Sequence, residues 1–217
     1  MSAASRHQKL IEGLREKHPG KLVEDGPVTA EYWEAKPRVL WILKEAHSAE
    51  DAAGWSLPEF LRDGYRNYPN WKRTYAKVAQ VSWGLLHEPI AFEGLPGYDE
   101  LPGALRKIAV INVDKTIDGR GTSNWADLVE RYKIFREPLL EQISLLEPDI
   151  VISGNVLGLF ADDLELGERV HSSPSLHVYS KQGRIFLDAH HPAYWSKSQA
   201  DYYDEIIGAV RASAPNR

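Results

Sequence analysis

Three short apolar segments constrain the fold of this chain more than any other feature. They are RVLWIL (38–43), IAVIN (108–112) and DIVIS (149–153), and each leads into a polar loop followed by helical periodicity. A short, nearly continuous apolar run is typical of a strand that is covered on both faces in a parallel sheet. Because strand, loop and helix recur in this order, the sequence predicts an α/β fold with a parallel sheet.

The remaining elements extend this prediction. A fourth segment, RIFLDA (184–189), follows Gln182-Gly183 and is predicted to form a hairpin with residues 176–180. Helices are predicted over about residues 6–18, 71–86, 125–146 and 198–210, with a short one in VLGLF (156–160). Asn124 or Ser123 is expected to cap the third helix, and Pro138 to kink or break it. We therefore predict a three-layer α/β/α architecture around a central, mainly parallel sheet of four strands.

The chain length predicts a single domain. At roughly 100–200 residues per domain, 217 residues favour one domain over 1–217. Its core is expected over about residues 36–210, with a peripheral N-terminal helix and a long insertion over about 46–106. The insertion contains a Gly/Pro-rich loop, 89–103, which is long enough to suggest a function.

Composition and charge exclude several classes of function. The chain has 26 Lys and Arg against 31 Asp and Glu, a net charge of −5, so any contact with nucleic acid must depend on local patches. One such patch is Arg62–Lys77, although a solvated amphipathic helix with buried aromatic residues explains that segment better. Without cysteine there are no disulfides, thiolate zinc sites or cysteine nucleophiles. No apolar run approaches 18 residues, so we expect a soluble, cytoplasmic protein without a membrane partner.

The candidate site lies where the predicted strands end. Ligands of open parallel sheets bind outside the carboxyl ends of the strands. Those ends carry Glu45, Asn112, Gly154-Asn155 and His190-His191. Each has a structural explanation alone, as a helix cap, a loop contact or a packed histidine. Together a carboxylate, an amide and a histidine supply a general base, a donor and acceptor for a base edge, and an electrophile.

We expect neither a metal nor a cofactor at this site. Glu45, His47, Asp188, His190 and His191 could approach one another in the fold. However, no HExxH or comparable ligand spacing is present.

The order of these segments resembles that of the uracil-DNA glycosylase superfamily. KEAHSAEDAAG (44–54) is similar to the GEAPG segment and following acidic-Gly stretch of the iron-sulfur uracil-DNA glycosylases, and INVDK (111–115) resembles their strand ending in Asn-x-x-Lys. PDIVISGN (148–155) looks like their third strand with its terminal Gly, and HHPAYW (190–195) resembles their His-Pro-Ser motif. The resemblance covers about residues 36–210.

The chain also departs from the pattern of this superfamily. Lys44 stands where the first motif has Gly, His47 and Ser48 replace Pro-Gly, Ala193 replaces the Ser after His-Pro, and the cluster-binding cysteines are absent. Such changes narrow the pocket, alter the base that it accepts, or leave the fold without glycosylase activity.

The resemblance implies a monofunctional DNA glycosylase of base-excision repair, which hydrolyses the bond between the sugar and uracil or another deaminated base after base flipping. Glu45 would activate the attacking water and stabilise the cationic sugar, while His191 would donate a hydrogen bond to the departing base. Asn112 would read the base edge. DNA that contains a damaged base is the expected partner, and no obligate protein partner is evident.

Further contacts follow from the same hypothesis. Trp55 is the nearest flat side chain that could stack on the base, with Phe60 in reserve, although Trp55 is equally compatible with a core position. His47 is assigned to base binding as well. The expected DNA contacts are Lys115, Thr122, Ser123, Tyr194, Trp195 and Lys197, the two aromatic residues acting as wedges and the others binding phosphate.

Two alternatives remain open from the sequence. In the first, the same pocket captures a damaged base or a nucleotide without cleaving it. In the second, the protein is a small-molecule hydrolase that uses Glu45 with His190 or His191. Release of free base from DNA distinguishes the glycosylase from both.

Overall fold

The computed structural model describes residues 1–45, 53–64, 69–88, 90–97, 99–117 and 124–213. The strands are β1 (Val23–Glu24), β2 (Gly26–Pro27), β3 (Val39–Glu45), β4 (Trp55–Ser56), β5 (Ala109–Asp114), β6 (Ile150–Gly154), β7 (Arg169–Ser173), β8 (Leu176–Lys181) and β9 (Arg184–Ala189). The helices are α1 (Ala3–Lys17), α2 (Leu57–Glu59), α3 (Pro69–Leu86), α4 (Pro102–Leu105), α5 (Trp125–Leu146) and α6 (Gln199–Ser213). The described residues thus form a mixed α/β protein.

The main sheet has seven strands, in the order β2-β5-β3-β6-β9-β8-β7. The four adjacent strands β5, β3, β6 and β9 are parallel, whereas β2, β8 and β7 pair antiparallel at the two sides. The expectation of four strands was therefore too low. No sequence pattern indicated β2, which has only two residues, or β7, which is mostly exposed and so lacks an apolar run.

Two apolar cores cover the two faces of the sheet. Helices α3 and α6 pack on the face that carries Val39, Trp41 and Leu43, which we call the α6 face. Helices α1 and α5 pack on the face that carries Leu40 and Ile42, which we call the α5 face. Because successive side chains of a strand point to opposite faces, this alternation assigns each residue at a strand end to one core or the other.

Two local predictions differ from the structure. Helix α5 continues through Pro138 without a break, because its buried face runs on from Phe135 to Leu139 and packing stabilises the helix across the missing hydrogen bond. The segment VLGLF forms only a short 3-10 turn, Leu157–Leu159, instead of an α-helix. The cap at Asn124 is confirmed, since its side chain accepts a hydrogen bond from the backbone N–H of Asp127 at 3.0 Å.

The segment predicted as an insertion is part of the α6-face core. Tyr75, Val78 and Val81 on α3 and Leu105 on α4 are all buried there. None of the helices in the described ranges combines the length and the apolar character that crossing a bilayer requires.

Candidate functional site

Four residues at the carboxyl ends of the parallel strands form one row on the α6 face. Asn112 on β5 pairs with Leu43 on β3, and Gly154 on β6 pairs with Ala189 on β9. A Cβ built on Gly154 would lie 3.2 Å from Cδ2 of Leu43, so the two pairs are adjacent. We call these four residues the floor row.

Asn112 is the polar member of the floor row. Its backbone N–H donates to Oδ2 of Asp25 at 2.8 Å, and only 1% of the residue is exposed. Its side-chain Nδ2 is buried and has no hydrogen-bond partner among the described residues. A buried donor that lacks a partner costs about 1–3 kcal/mol. The amide is therefore a buried group that a ligand acceptor would satisfy.

Glu45 and His191 lie two residues beyond the floor row, on β3 and just after β9 respectively. Two residues of extended chain correspond to about 7 Å, which places both side chains nearer to solvent than Asn112. Both residues are half-buried, and Oε2 of Glu45 is shielded from solvent. Only β6 separates their strands, so their backbones are about 10 Å apart. The buried amide of Asn112 thus lies deeper than the half-buried carboxylate of Glu45 and imidazole of His191, and we call these three residues the strand-end site.

Gly154 allows His191 to occupy this position. A Cβ at residue 154 would lie 2.9 Å from Cδ2 of His191, closer than such atoms approach one another. The backbone N–H of Ala193 donates to Nδ1 of His191 at 3.2 Å. Because Nδ1 accepts a hydrogen bond, the proton of the neutral ring lies on Nε2, which is therefore a donor.

Trp55 lies beside the end of β5 and packs against the α6-face core. Its strand β4 pairs with β1, where Val23 N–H donates to the carbonyl of Lys115 at 2.7 Å. The Trp55 ring is half-buried and meets Phe60 edge-on at 5.6 Å between centroids. Its position suits either of the roles expected for it, a core residue or a ring that contacts a ligand.

The loop after β9 is fixed at several points. Tyr202 donates through its hydroxyl to the carbonyl of His190 at 2.9 Å, and Lys77 Nζ donates to the carbonyls of Tyr194 at 2.9 Å and Lys197 at 2.8 Å. Tyr194 also packs on His190, with ring centroids 4.4 Å apart. In spite of this anchoring, 80% of Trp195 and 42% of Tyr194 are exposed. The loop thus presents aromatic side chains to solvent from a fixed backbone.

The prediction that Lys115 binds phosphate is wrong. Lys115 is three residues after Asn112, and the alternation of side chains places it on the α5 face. It is fully buried there, where its Nζ donates to both carboxylate oxygens of Asp25 and to Oε1 of Gln142, each at 2.8 Å. Burial lowers the pKa of Lys115, while Asp25 raises it in part.

Lys197 also pairs with other residues of the protein. Its Nζ donates to Oγ of Ser175 at 2.8 Å and pairs with the carboxylate of Glu205. Burial raises the pKa of Glu205, but hydrogen bonds from Lys197, Ser175 and Ser173 outweigh burial and hold it below its usual value. The Nζ group of Lys197, which was expected to contact DNA, is therefore paired with groups of the protein itself.

Three of the predicted site residues fall outside the described ranges. His47, Thr122 and Ser123 lie in segments that the structure does not describe. Over the described ranges, no three His, Asp or Glu side chains are grouped in a way that could hold a metal ion.

Three residues position the site, and two of them, Asp25 and Lys77, were missed from the sequence. Asp25 holds the backbone of Asn112, Gly154 accommodates His191, and Lys77 anchors the loop that carries Trp195. Asp25 precedes Gly26-Pro27 and looked like a turn residue, and its partner Lys115 is 90 residues away in the chain. Only Lys77 had a signal, because it belongs to the basic and aromatic segment Arg62–Lys77.

Comparison with known proteins identifies no family for this chain. The chain matches no model of a known protein family and no curated protein. The described residues form a mixed α/β protein in which Glu45, Asn112 and His191 lie at the carboxyl ends of parallel strands.

Proposed function

We propose that this protein is a DNA glycosylase-like enzyme of the uracil-DNA glycosylase fold, which hydrolyses the N-glycosidic bond of uracil or another deaminated base after base flipping. The observation that carries the proposal is the buried amide of Asn112, whose Nδ2 has no hydrogen-bond partner among the described residues. Asn112 lies deeper in the protein than Glu45 and His191, which are half-buried at the same edge of the sheet. This order matches what a flipped nucleotide requires, with the base inside and the sugar outside.

Asn112 would read the edge of the base. An amide donates and accepts at once, which suits the adjacent carbonyl and N–H of uracil. A base with the opposite pattern would leave the amide without a partner at a cost of about 1–3 kcal/mol. The hydrogen bond from the Asn112 backbone to Asp25 holds the strand at this point.

Glu45 and His191 would act on opposite sides of the breaking bond. As the bond to the base lengthens, positive charge develops on the sugar and negative charge on the base. The carboxylate of Glu45 stabilises the sugar and orients the attacking water. Nε2–H of His191 donates to the base oxygen that becomes negative. No metal or cofactor takes part in these steps.

The departures from the superfamily pattern are compatible with this proposal where the residues are described. Strand alternation places the Lys44 side chain on the face opposite to Glu45, so Lys44 does not crowd the strand-end site. Ala193 lacks the serine hydroxyl, but its backbone N–H is the group that holds His191.

Release of free base tests the proposal. Single- and double-stranded oligonucleotides with one uracil, hypoxanthine or xanthine are incubated with the protein, and abasic sites are detected by scission with alkali. We expect release at one lesion or more, with a loss of about 10²–10⁴-fold in Glu45→Gln and about 10²–10³-fold in His191→Ala. The exposed residues Glu141 and His171 provide matched controls, Glu141→Gln and His171→Ala.

The same experiment separates the alternatives. Binding to DNA that weakens with salt but releases no base from a folded protein would refute the enzyme and leave a binding module. Turnover of free nucleosides without turnover of DNA would favour the small-molecule hydrolase.

A further inference from the structure

Exposed aromatic side chains lie at the edge of the sheet that carries the strand-end site. Within the described ranges, Trp125 is 52% exposed, Trp195 80% and Tyr194 42%. Trp125 begins α5, which follows β5 in the chain, and Trp195 lies in the loop that follows β9. Both tryptophans therefore lie at the carboxyl edge of the sheet, as the strand-end site does. Large flat rings left exposed beside a site indicate a surface that contacts a partner.

Chain length limits how far the two tryptophans can lie from His191. A Cβ on Gly158 would lie 3.7 Å from Cη2 of Trp125, so this ring rests over Gly158. His191 rests on Gly154, four residues earlier, and four residues of chain span at most about 14 Å. Trp195 is also four residues from His191, and the same limit applies. These limits leave both rings within reach of nucleotides next to one held at the strand-end site.

A cationic groove adjoins Trp195. It has a volume of about 530 Å³ and is lined by Arg73, Lys77, Tyr194, Trp195, Lys197, Ser198 and Gln199. Lys77 is buried beneath the loop, and Lys197 is paired with Glu205. Arg73 is exposed, and among the described lining residues it is the cation that remains directed to solvent. A phosphate is the complementary group for a guanidinium beside an aromatic ring.

We propose that Trp125 and Trp195 are stacking platforms for single-stranded DNA, and that the bases on the two sides of the flipped nucleotide stack on them while Arg73 contacts a phosphate. In a duplex the neighbouring bases already stack on each other. Two exposed tryptophan rings near the site are therefore better suited to stack on unpaired bases. Stacking is tolerant of sequence, since every base has a flat face. The choice of DNA as occupant rests on the proposed function.

Binding of a lesion-free oligonucleotide tests the inference without requiring catalysis. A labelled 12-nucleotide DNA strand and the duplex of the same sequence are titrated with the full chain, and binding is followed by fluorescence anisotropy. We expect at least tenfold tighter binding of the single strand. Trp125→Ala and Trp195→Ala should each weaken it about 5- to 150-fold, the range for loss of one stacked base.

Ile134→Ala is the matched control for these variants. Ile134 is also on α5 and is 58% exposed, and its loss should leave affinity unchanged. Tighter binding of the duplex, of an RNA strand of the same sequence, or of neither nucleic acid would overturn the inference. So would unchanged affinity in both tryptophan variants. If base release is absent but binding depends on both rings, the stacking surface is supported and the proposed enzymatic activity is refuted. If base is released but binding does not depend on the rings, only the stacking surface is refuted.

Discussion

Replacement of Lys115 by methionine tests the buried ion pair that supports the site. Lys115 Nζ makes three hydrogen bonds of 2.8 Å, two of them to the carboxylate of Asp25, and both side chains are at most 1% exposed. Lys115→Met removes the cation and all three donors. Asp25 then keeps only its contacts with the backbone N–H of Asn112 and with Nε2 of Gln142.

The expected loss of stability is large. Breaking a buried ion pair by removing one partner costs about 3–5 kcal/mol, because an uncompensated charge stays buried. For a chain of this length, this corresponds to a fall in Tm of about 6–20 °C. Denaturation by guanidinium at pH 7, followed by tryptophan fluorescence, measures the free energy of unfolding. In the double variant Lys115→Met/Asp25→Asn the loss should be smaller than the sum of the single losses.

Lys133→Met is the matched control. Lys133 pairs with Glu130 on the surface of α5, where both side chains are more than 60% exposed, and such pairs contribute at most about 1 kcal/mol. If Lys115→Met cost no more than Lys133→Met, the reasoning would be refuted, because Lys115 would then lie outside the core and would again be a candidate for phosphate contact.

Three further predictions concern individual residues. Burial lowers the pKa of His7 from 6.5 to about 4, because the charged imidazolium is disfavoured inside the protein. The unfolded chain therefore binds a proton more readily than the folded one, and the free energy of unfolding should fall by about 3 kcal/mol as pH falls from 6.5 to 4. The difference in unfolding free energy between wild type and His7→Gln should change accordingly over that range. Gly154→Ala should displace His191 and slow base release at least tenfold in single-turnover assays, with the protein still folded. Asn112→Leu should raise the unfolding free energy by about 1–2 kcal/mol, because a buried unpaired donor is removed, while base release is lost; a less stable variant would contradict this.

The strands of the parallel region could be predicted because each is an apolar run between polar loops. RVLWIL and DIVIS belong to strands that are buried on both faces, so their composition alone indicates their environment. Strand β7 could not be predicted, because an exposed edge strand such as RVHSS has no apolar pattern. The meeting of Glu45, Asn112 and His191 at one edge followed from the general rule for parallel sheets.

Other features depend on contacts that are distant in the chain. Lys115 has the same charge as a phosphate-binding residue, and only its partner Asp25 shows that its role is in the core. The exposure of Trp125 and Trp195 depends on how α5 and the loop after β9 pack, so composition could not separate them from the buried Trp41. In these cases the residue type indicated possible roles, and the packing around each residue determined which role it has.

The measurement that tests the central claim most directly is a double-mutant cycle on base release. Single-turnover rates are determined for the wild type, Glu45→Gln, His191→Ala and the double variant on a single-stranded oligonucleotide with a susceptible base. If the two side chains act on one breaking bond, each single change slows release by about 10²-fold or more, and the double variant is faster than the product of the two effects predicts. Release that persists at the wild-type rate in the double variant would contradict the account.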